Sequence, residues 1–248
     1  MTLRTYLATT ARIIAQLRND RRTVALIVAV PSVLVTLLYF VYQDSPGADL
    51  LFNRIAVSMT AILPMTVMFL VTSVAMLRER VGGTLERLWT TPTHRADVLF
   101  GYAAAFSATA VGQSLVLCAI AGWALGVTVE AGWAWVVLLA LMTGFVGVSL
   151  GLLVSAFARS EFQAVQFMPV VVAPQLFLCG LLVPRENMPR LLKVVGDALP
   201  MSWAVDAVTE VAVSTDVSTD YARRLGLLLV FGLLALTVAA LTIPRRTR

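Results

Sequence analysis

Residues 55–77, IAVSMTAILPMTVMFLVTSVAML, run for 23 positions without a charged side chain. A bilayer core of about 30 Å is crossed by roughly 20 apolar residues of α-helix, so this stretch has the length of one crossing. It is apolar on every face, whereas a strand of a membrane β-barrel alternates apolar and polar positions. The rest of the chain repeats the pattern. Of 248 residues, 59% are hydrophobic and 13% charged, with a mean hydropathy of +0.86, a composition of polytopic membrane proteins. Five further charge-free runs flank the first, at 23–43, 98–129, 131–158, 162–184 and 225–244, with lengths of 21, 32, 28, 23 and 20 residues. Each suffices for one helix and none comfortably holds two. The expectation is an all-α polytopic membrane protein with six transmembrane helices, one domain over residues 1–248.

Arginine placement sets the orientation, because cytoplasmic loops carry an excess of basic residues. With six crossings both termini share a side. That side holds thirteen basic residues and the other holds six, while acidic residues run the opposite way, five against nine. The balance is +8 and −3, which accounts for the net charge of +5. Both termini are therefore expected in the cytoplasm. The basic character reflects topology and attraction to lipid headgroups, and gives no warrant for nucleic-acid binding.

Outside the six runs two segments have a pattern of their own. Within residues 1–22, Leu3, Tyr6, Leu7, Thr10, Ile13, Ile14 and Leu17 recur at helical spacing, with Arg4, Arg12 and Gln16 elsewhere on the wheel. This is an amphipathic helix over 3–18, suited to lie on the inner leaflet with its arginines on the wet face, or to pack as an arm on the protein. Residues 184–224 carry two short apolar stripes, Leu191, Val194, Val195, Ala198 and Leu199, then Trp203, Ala207, Val208 and Val211, separated by Pro200. They predict two short extracellular helices between spans five and six, either re-entrant and covered by protein or lying flat on the outer leaflet. Small residues four apart, Ala104, Ala108 and Gly112 on span three and Gly147, Gly151 and Ser155 on span four, predict close helix approaches. Cys118 and Cys179 fall inside spans and read as small apolar fillers.

Some chemistry is missing. The one lysine, Lys193, follows a Leu-Leu pair, so the phosphate-cradling loop of an ATPase, which ends in Gly-Lys-Ser/Thr, has no counterpart. His94 is the one histidine, too little for a metal site. No acid is forced into the bilayer as a proton or cation site. The chain is expected to be no enzyme and to bind no metal; it lacks an engine.

The segment after span two, RERVGGTLERLWTTPTHR at 78–95, suits a borrowed engine. Gly82–Gly83 lets the chain turn. Thr84 can cap a short helix with Glu86 in its first turn, Leu85, Leu88 and Trp89 on one face, and Pro92 as its stop. Such a helix reads either as a docking plug for a soluble partner or as an interfacial helix packed on the membrane. The run Glu79-Arg80-Val81-Gly82-Gly83-Thr84-Leu85-Glu86-Arg87-Leu88, followed by Pro92, Arg95 and Gly101, resembles the type-2 ABC transporter permeases. Gly180, Pro184, Met188, Pro189 and Pro200 resemble the family's signature after its fifth span. Val81 and Gly82 depart from the charged and polar residues common there. Size and pattern look most like the drug-resistance permeases of the daunorubicin-exporter type.

The resemblance implies that residues 78–97 form a cytoplasmic coupling loop. Glu79, Gly83, Thr84, Leu85, Glu86, Arg87, Leu88, Trp89 and Pro92 would engage a separate cytoplasmic ATPase. Two copies of that ATPase, binding ATP and Mg, would work with two permease subunits, identical or homologous, in a prokaryotic plasma membrane. On span two, Ser58, Ile62, Met65, Thr66, Phe69, Ser73 and Met76 share a face, as do Gln163, Gln166, Phe167, Val170, Pro174 and Phe177 on span five. These weakly polar, uncharged faces suit an amphiphilic or aromatic substrate, although helix packing also produces such stripes. Three functions compete: export of a lipophilic drug, antibiotic or lipid; export of a lipid-linked glycan; and a non-transporting membrane anchor or sensor for an ATPase.

Overall fold

The computed structural model describes residues 3–44, 47–83 and 95–242. Within these, α-helices follow one another without a strand: α1 (Leu3–Asn19), α2 (Arg21–Tyr42), α3 (Ala48–Val81), α4 (Arg95–Ala119, continued by a π-turn over Ile120–Ala124), α5 (Trp133–Ser155), α6 (Glu161–Leu178), α7 (Arg190–Asp197), α8 (Pro200–Val213) and α9 (Thr219–Thr242). Local chemistry marks several starts. Asp20 caps α2 by accepting from the Thr23 N–H. Ser160 caps α6 by accepting from the Gln163 N–H. Pro200 opens α8, where its missing donor is no loss.

Five of the described helices are long and apolar enough to cross a membrane: α2, α3, α4 with its π-turn, α5 and α9. The run 162–184 does not yield a sixth of that kind. Its helix, α6, has 18 residues, holds Pro169 and Pro174, and carries Gln163, Gln166 and Gln175. Nevertheless α6 traverses the bundle. Its first residue, Glu161, pairs with Arg78 at the end of α3, and Cys179 just past its last turn shares a cavity with Arg54 near the start of α3.

Helix α5 is the centre, packed most extensively on α3 and then on α9 and α4. Glycine permits the α3 contact. A Cβ on Gly151 would lie 2.6 Å from the Phe69 carbonyl oxygen, and one on Gly147 would overlap the Met65 carbonyl. The expected small-residue approach on span four is thus realised. On α4 the contact takes another form. Gly112 meets nothing within 4 Å, whereas Ala110, which is buried, faces Gly144 of α5, where an added Cβ would stand 2.9 Å from the alanine methyl.

The two ends of the bundle differ. At one, α1 lies across α4, with Ile13, Tyr102, Leu236 and Ala239 in one buried cluster. Arg12 does not stay on a wet face as the helical wheel predicts. It turns inward, because the Tyr102 hydroxyl accepts from it at 2.9 Å and Glu79 faces it. At the other end lie the two short helices expected over 184–224. The α8 stripe is buried against α3, α5 and α9, while Leu191, Val194 and Val195 of α7 stay exposed.

Candidate functional site: the charged end of α3

The last turn of α3 carries three adjacent charges, Arg78, Glu79 and Arg80, that reach three different elements. Successive residues on a helix point about 100° apart, so one turn can serve three neighbours. Arg78 donates from Nε and Nη2 to the two oxygens of Glu161 at 2.8 Å each, a bidentate pair with the first residue of α6. Glu79 faces α1, accepting from Gln16 at 3.4 Å with Arg12 at 3.8 Å.

Arg80 is the buried member, 8% exposed. It donates to the Ser155 carbonyl and, at 3.0 Å, to the Ala158 carbonyl. Those acceptors lie at the C-terminus of α5 and in the turn beyond it, the negative end of a helix dipole. No carboxylate among the described residues pairs with Arg80. Among the described residues its charge is balanced by main-chain oxygen.

Immediately after these charges the helix stops. Gly83 takes a left-handed conformation, φ +71°, and its N–H reaches the Arg80 carbonyl at 3.3 Å, as the glycine pair predicts. Of the expected coupling residues, Glu79 and Gly83 are therefore placed. Thr84, Leu85, Glu86, Arg87, Leu88, Trp89 and Pro92 lie outside the described residues. Beside this end a cavity of about 430 Å³ has apolar walls that include Leu70, Val74 and Phe106 and a polar rim that includes Gln16 and Glu79.

The two expected substrate faces have different surroundings. On α3, Met65, Phe69 and Ser73 are fully buried, and Met65 and Phe69 carry the carbonyls on which the α5 glycines rest. Ser58 is buried too, beside the cavity at the opposite end, and Thr66 turns its hydroxyl to the Ile62 carbonyl at 2.9 Å. On α6, Gln166, Val170, Pro174 and Phe177 remain exposed. Phe167 packs in the same cluster as Met65 and Phe69. Gln163 accepts from the Arg159 N–H at 2.8 Å, beside the Ser160 cap.

The opposite end holds a second charged network that sequence reading missed. Asp206 of α8 is shared by Arg185 and Arg224, Arg185 also holds Asp197 at 2.8 Å, and Arg224 also holds Glu210 at 2.8 Å. Burial pushes the Asp206 carboxyl up, against the pull of the two guanidiniums. These groups are scattered over 185–224, and their spacing alone signals nothing. The triplet at 78–80 does leave a signal, since an apolar helix that ends on three successive charges must send them in three directions.

Comparison with known proteins places these features in context. The sequence profile of the ABC-2 type transporter family matches residues 4–213. ABC transporter G family member 20 of Dictyostelium discoideum is 32% identical over 141 residues, 57% of this chain and 19% of that protein. Linearmycin resistance permease protein LnrN of Bacillus subtilis (strain 168) is 29% identical over 164 residues, 66% of this chain and 42% of the relative. The probable multidrug ABC transporter permease YbhR of Escherichia coli (strain K12) is 28% identical over 163 residues, 66% of this chain and 44% of the relative. The matched stretches cover less than half the length of each of these three proteins.

Proposed function

The chain belongs to the ABC-2 type transporter family, and from that premise we propose that it is the transmembrane permease subunit of an ATP-driven exporter. The observation that carries the reading is the family match over 4–213, which includes the charged end of α3 and the segment it leads into. A separate cytoplasmic ATPase supplies the energy. Residues 84–92 are the seat for that subunit, with Glu79 and Gly83 at its root. Both termini and the α1 end are cytoplasmic, α6 is the sixth crossing, and the α7–α8 pair faces outside.

The substrate is a lipophilic or amphiphilic molecule such as a drug, antibiotic or lipid. The names of two relatives, a linearmycin resistance permease and a probable multidrug permease, support that class. The open face of α6 supports a pathway between two permease subunits, since Gln166, Val170 and Phe177 lack intrachain cover and offer a weakly polar, uncharged wall. ATP closure of the ATPase pair then switches the permease pair between two packings.

The test is co-expression with an ATPase, scoring co-purification and transport in vesicles against a panel of drugs, lipids and glycans. Trp89→Ala removes an expected interface anchor, a change that costs about 2 kcal/mol or more at a hot spot. Glu86→Ala removes a first-turn carboxylate. Both variants are expected to insert normally yet lose ATPase recovery and transport together. Parent-like assembly and transport in both would refute the coupling role of 84–92.

A further inference from the structure

We propose that Arg80 is a positioning residue that carries motion entering at the end of α3 to the turn between α5 and α6. The inference rests on the coupling reading above and goes beyond it. It says where motion goes after entering the membrane subunit, and it assigns that step to a residue outside the expected motor contact.

The geometry separates Arg80 from its neighbours. Arg78 and Glu161 form an exposed pair, with side chains 60% and 53% accessible. Such a pair is screened and its partners are easily replaced by water. Arg80 is enclosed, and its only acceptors among the described residues are the Ser155 and Ala158 carbonyls. A buried guanidinium that loses its acceptors is left as an uncompensated charge, so the link resists stretching far more than a surface pair does. Its planar fork reaches two carbonyls three residues apart, which an ammonium at one point does not reproduce.

Position makes the link a transmitter. Arg80 lies three residues before Gly83, where α3 ends. Its two acceptors bracket the exit from α5: Ser155 is the last helical residue, and Ala158 lies two residues before the Ser160 cap of α6. Deeper in the bundle α3 and α5 are locked by the Gly147 and Gly151 contacts. Arg80 extends that lock past the end of α5 and onto the chain that starts α6. A pull on the end of α3 therefore reaches α6, whose far face is the uncovered one. Glu79 sends a separate branch to α1 through Gln16 and Arg12.

The experiment uses the permease purified with its ATPase in vesicles. An environment-sensitive fluorophore is placed at Phe157→Cys, a 59% exposed position in the α5–α6 turn, or at Ala15→Cys on the exposed side of α1. Cys118 and Cys179 are buried and leave the introduced thiol as the accessible one. The readout is the emission shift between the nucleotide-free state and the state trapped with ATP and vanadate. In the parent both labels are expected to shift. Arg80→Gln is expected to reduce the shift at 157 at least fivefold and to leave the shift at 15 intact, whereas Glu161→Gln leaves both.

A purely structural role would weaken both labels together or neither. A parent-sized shift at 157 in Arg80→Gln overturns the proposal, and so does equal loss at 15 and 157. If Arg80→Gln yields no folded complex, Arg80→Lys decides. A shift at 157 reduced by half or more supports the two-carbonyl fork, and a parent-sized shift overturns it. If neither label moves in the parent while the ATPase co-purifies, the coupling reading itself fails, a result distinct from failure at Arg80.

Discussion

Asp20 closes the short link between α1 and α2 by accepting from the Thr23 N–H at 3.2 Å and from its hydroxyl at 2.6 Å. The Thr23 hydroxyl is the largest influence holding this carboxyl below its ordinary value. The sign follows directly. A depressed carboxyl contributes stability that is present above the ordinary aspartate range and lost as pH falls through the depressed value. Asp20→Ala is expected to lower stability by about 1 kcal/mol at neutral pH, the usual worth of an N-cap. The gap to the parent should narrow as acidity passes the ordinary aspartate range, while Asp20→Asn keeps the cap without that dependence. Hydrogen exchange at the first turn of α2 reads this out; a gap that widens with acid would contradict the assignment. Arg12 teaches a complementary lesson at the same scale. Its place on the helical wheel says water, yet one phenol on α4 and one carboxylate on α3 turn it inward. Partners 90 and 67 positions away in sequence leave no local trace.

Among elements, the α3–α5 contact depends on residues that have almost no side chain. Gly151→Val would drive branched carbon into the Phe69 carbonyl, where even one Cβ would stand at 2.6 Å. Overpacking of a tight contact costs about 1–3 kcal/mol, so the midpoint of denaturant unfolding in detergent should fall clearly. Gly112→Val on α4 meets open space and should leave the midpoint nearly unchanged. Equal effects at the two glycines would refute the close approach. Both stripes are visible as small residues four apart, but which one is used is not, because spacing does not say which face of a helix meets a neighbour. Helix positions, by contrast, are legible from charge alone: the runs 23–43, 55–77 and 225–244 become α2, most of α3, and α9. The candidate site is half legible. Gly83 announces its own turn, whereas Arg80 looks like any arginine at a membrane edge until the end of α5 is seen beneath it.

At the scale of the whole molecule, everything about sidedness turns on α6. Its two prolines and three glutamines make it the least membrane-like of the long helices, yet 18 residues of helix reach about 27 Å, nearly the thickness of the bilayer core. Its ends sit at opposite ends of the bundle, Glu161 beside Arg78 and Cys179 beside the second charged network. A helix of that length held between those points is expected to cross, with its glutamines tolerated where they face protein or a second subunit. Single cysteines at Thr2, Thr91 and Thr247 should be protected from a membrane-impermeant maleimide in intact cells, and those at Ser45 and Ser214 should react. Ser214 is the deciding position, because it follows α8 and lies on the far side of α6 from Phe157. If α6 crosses, Ser214 labels and Phe157→Cys does not. If α6 only dips into the membrane and returns, the two share a side and are protected together, and the six-crossing topology is lost along with the outward placement of the α7–α8 pair.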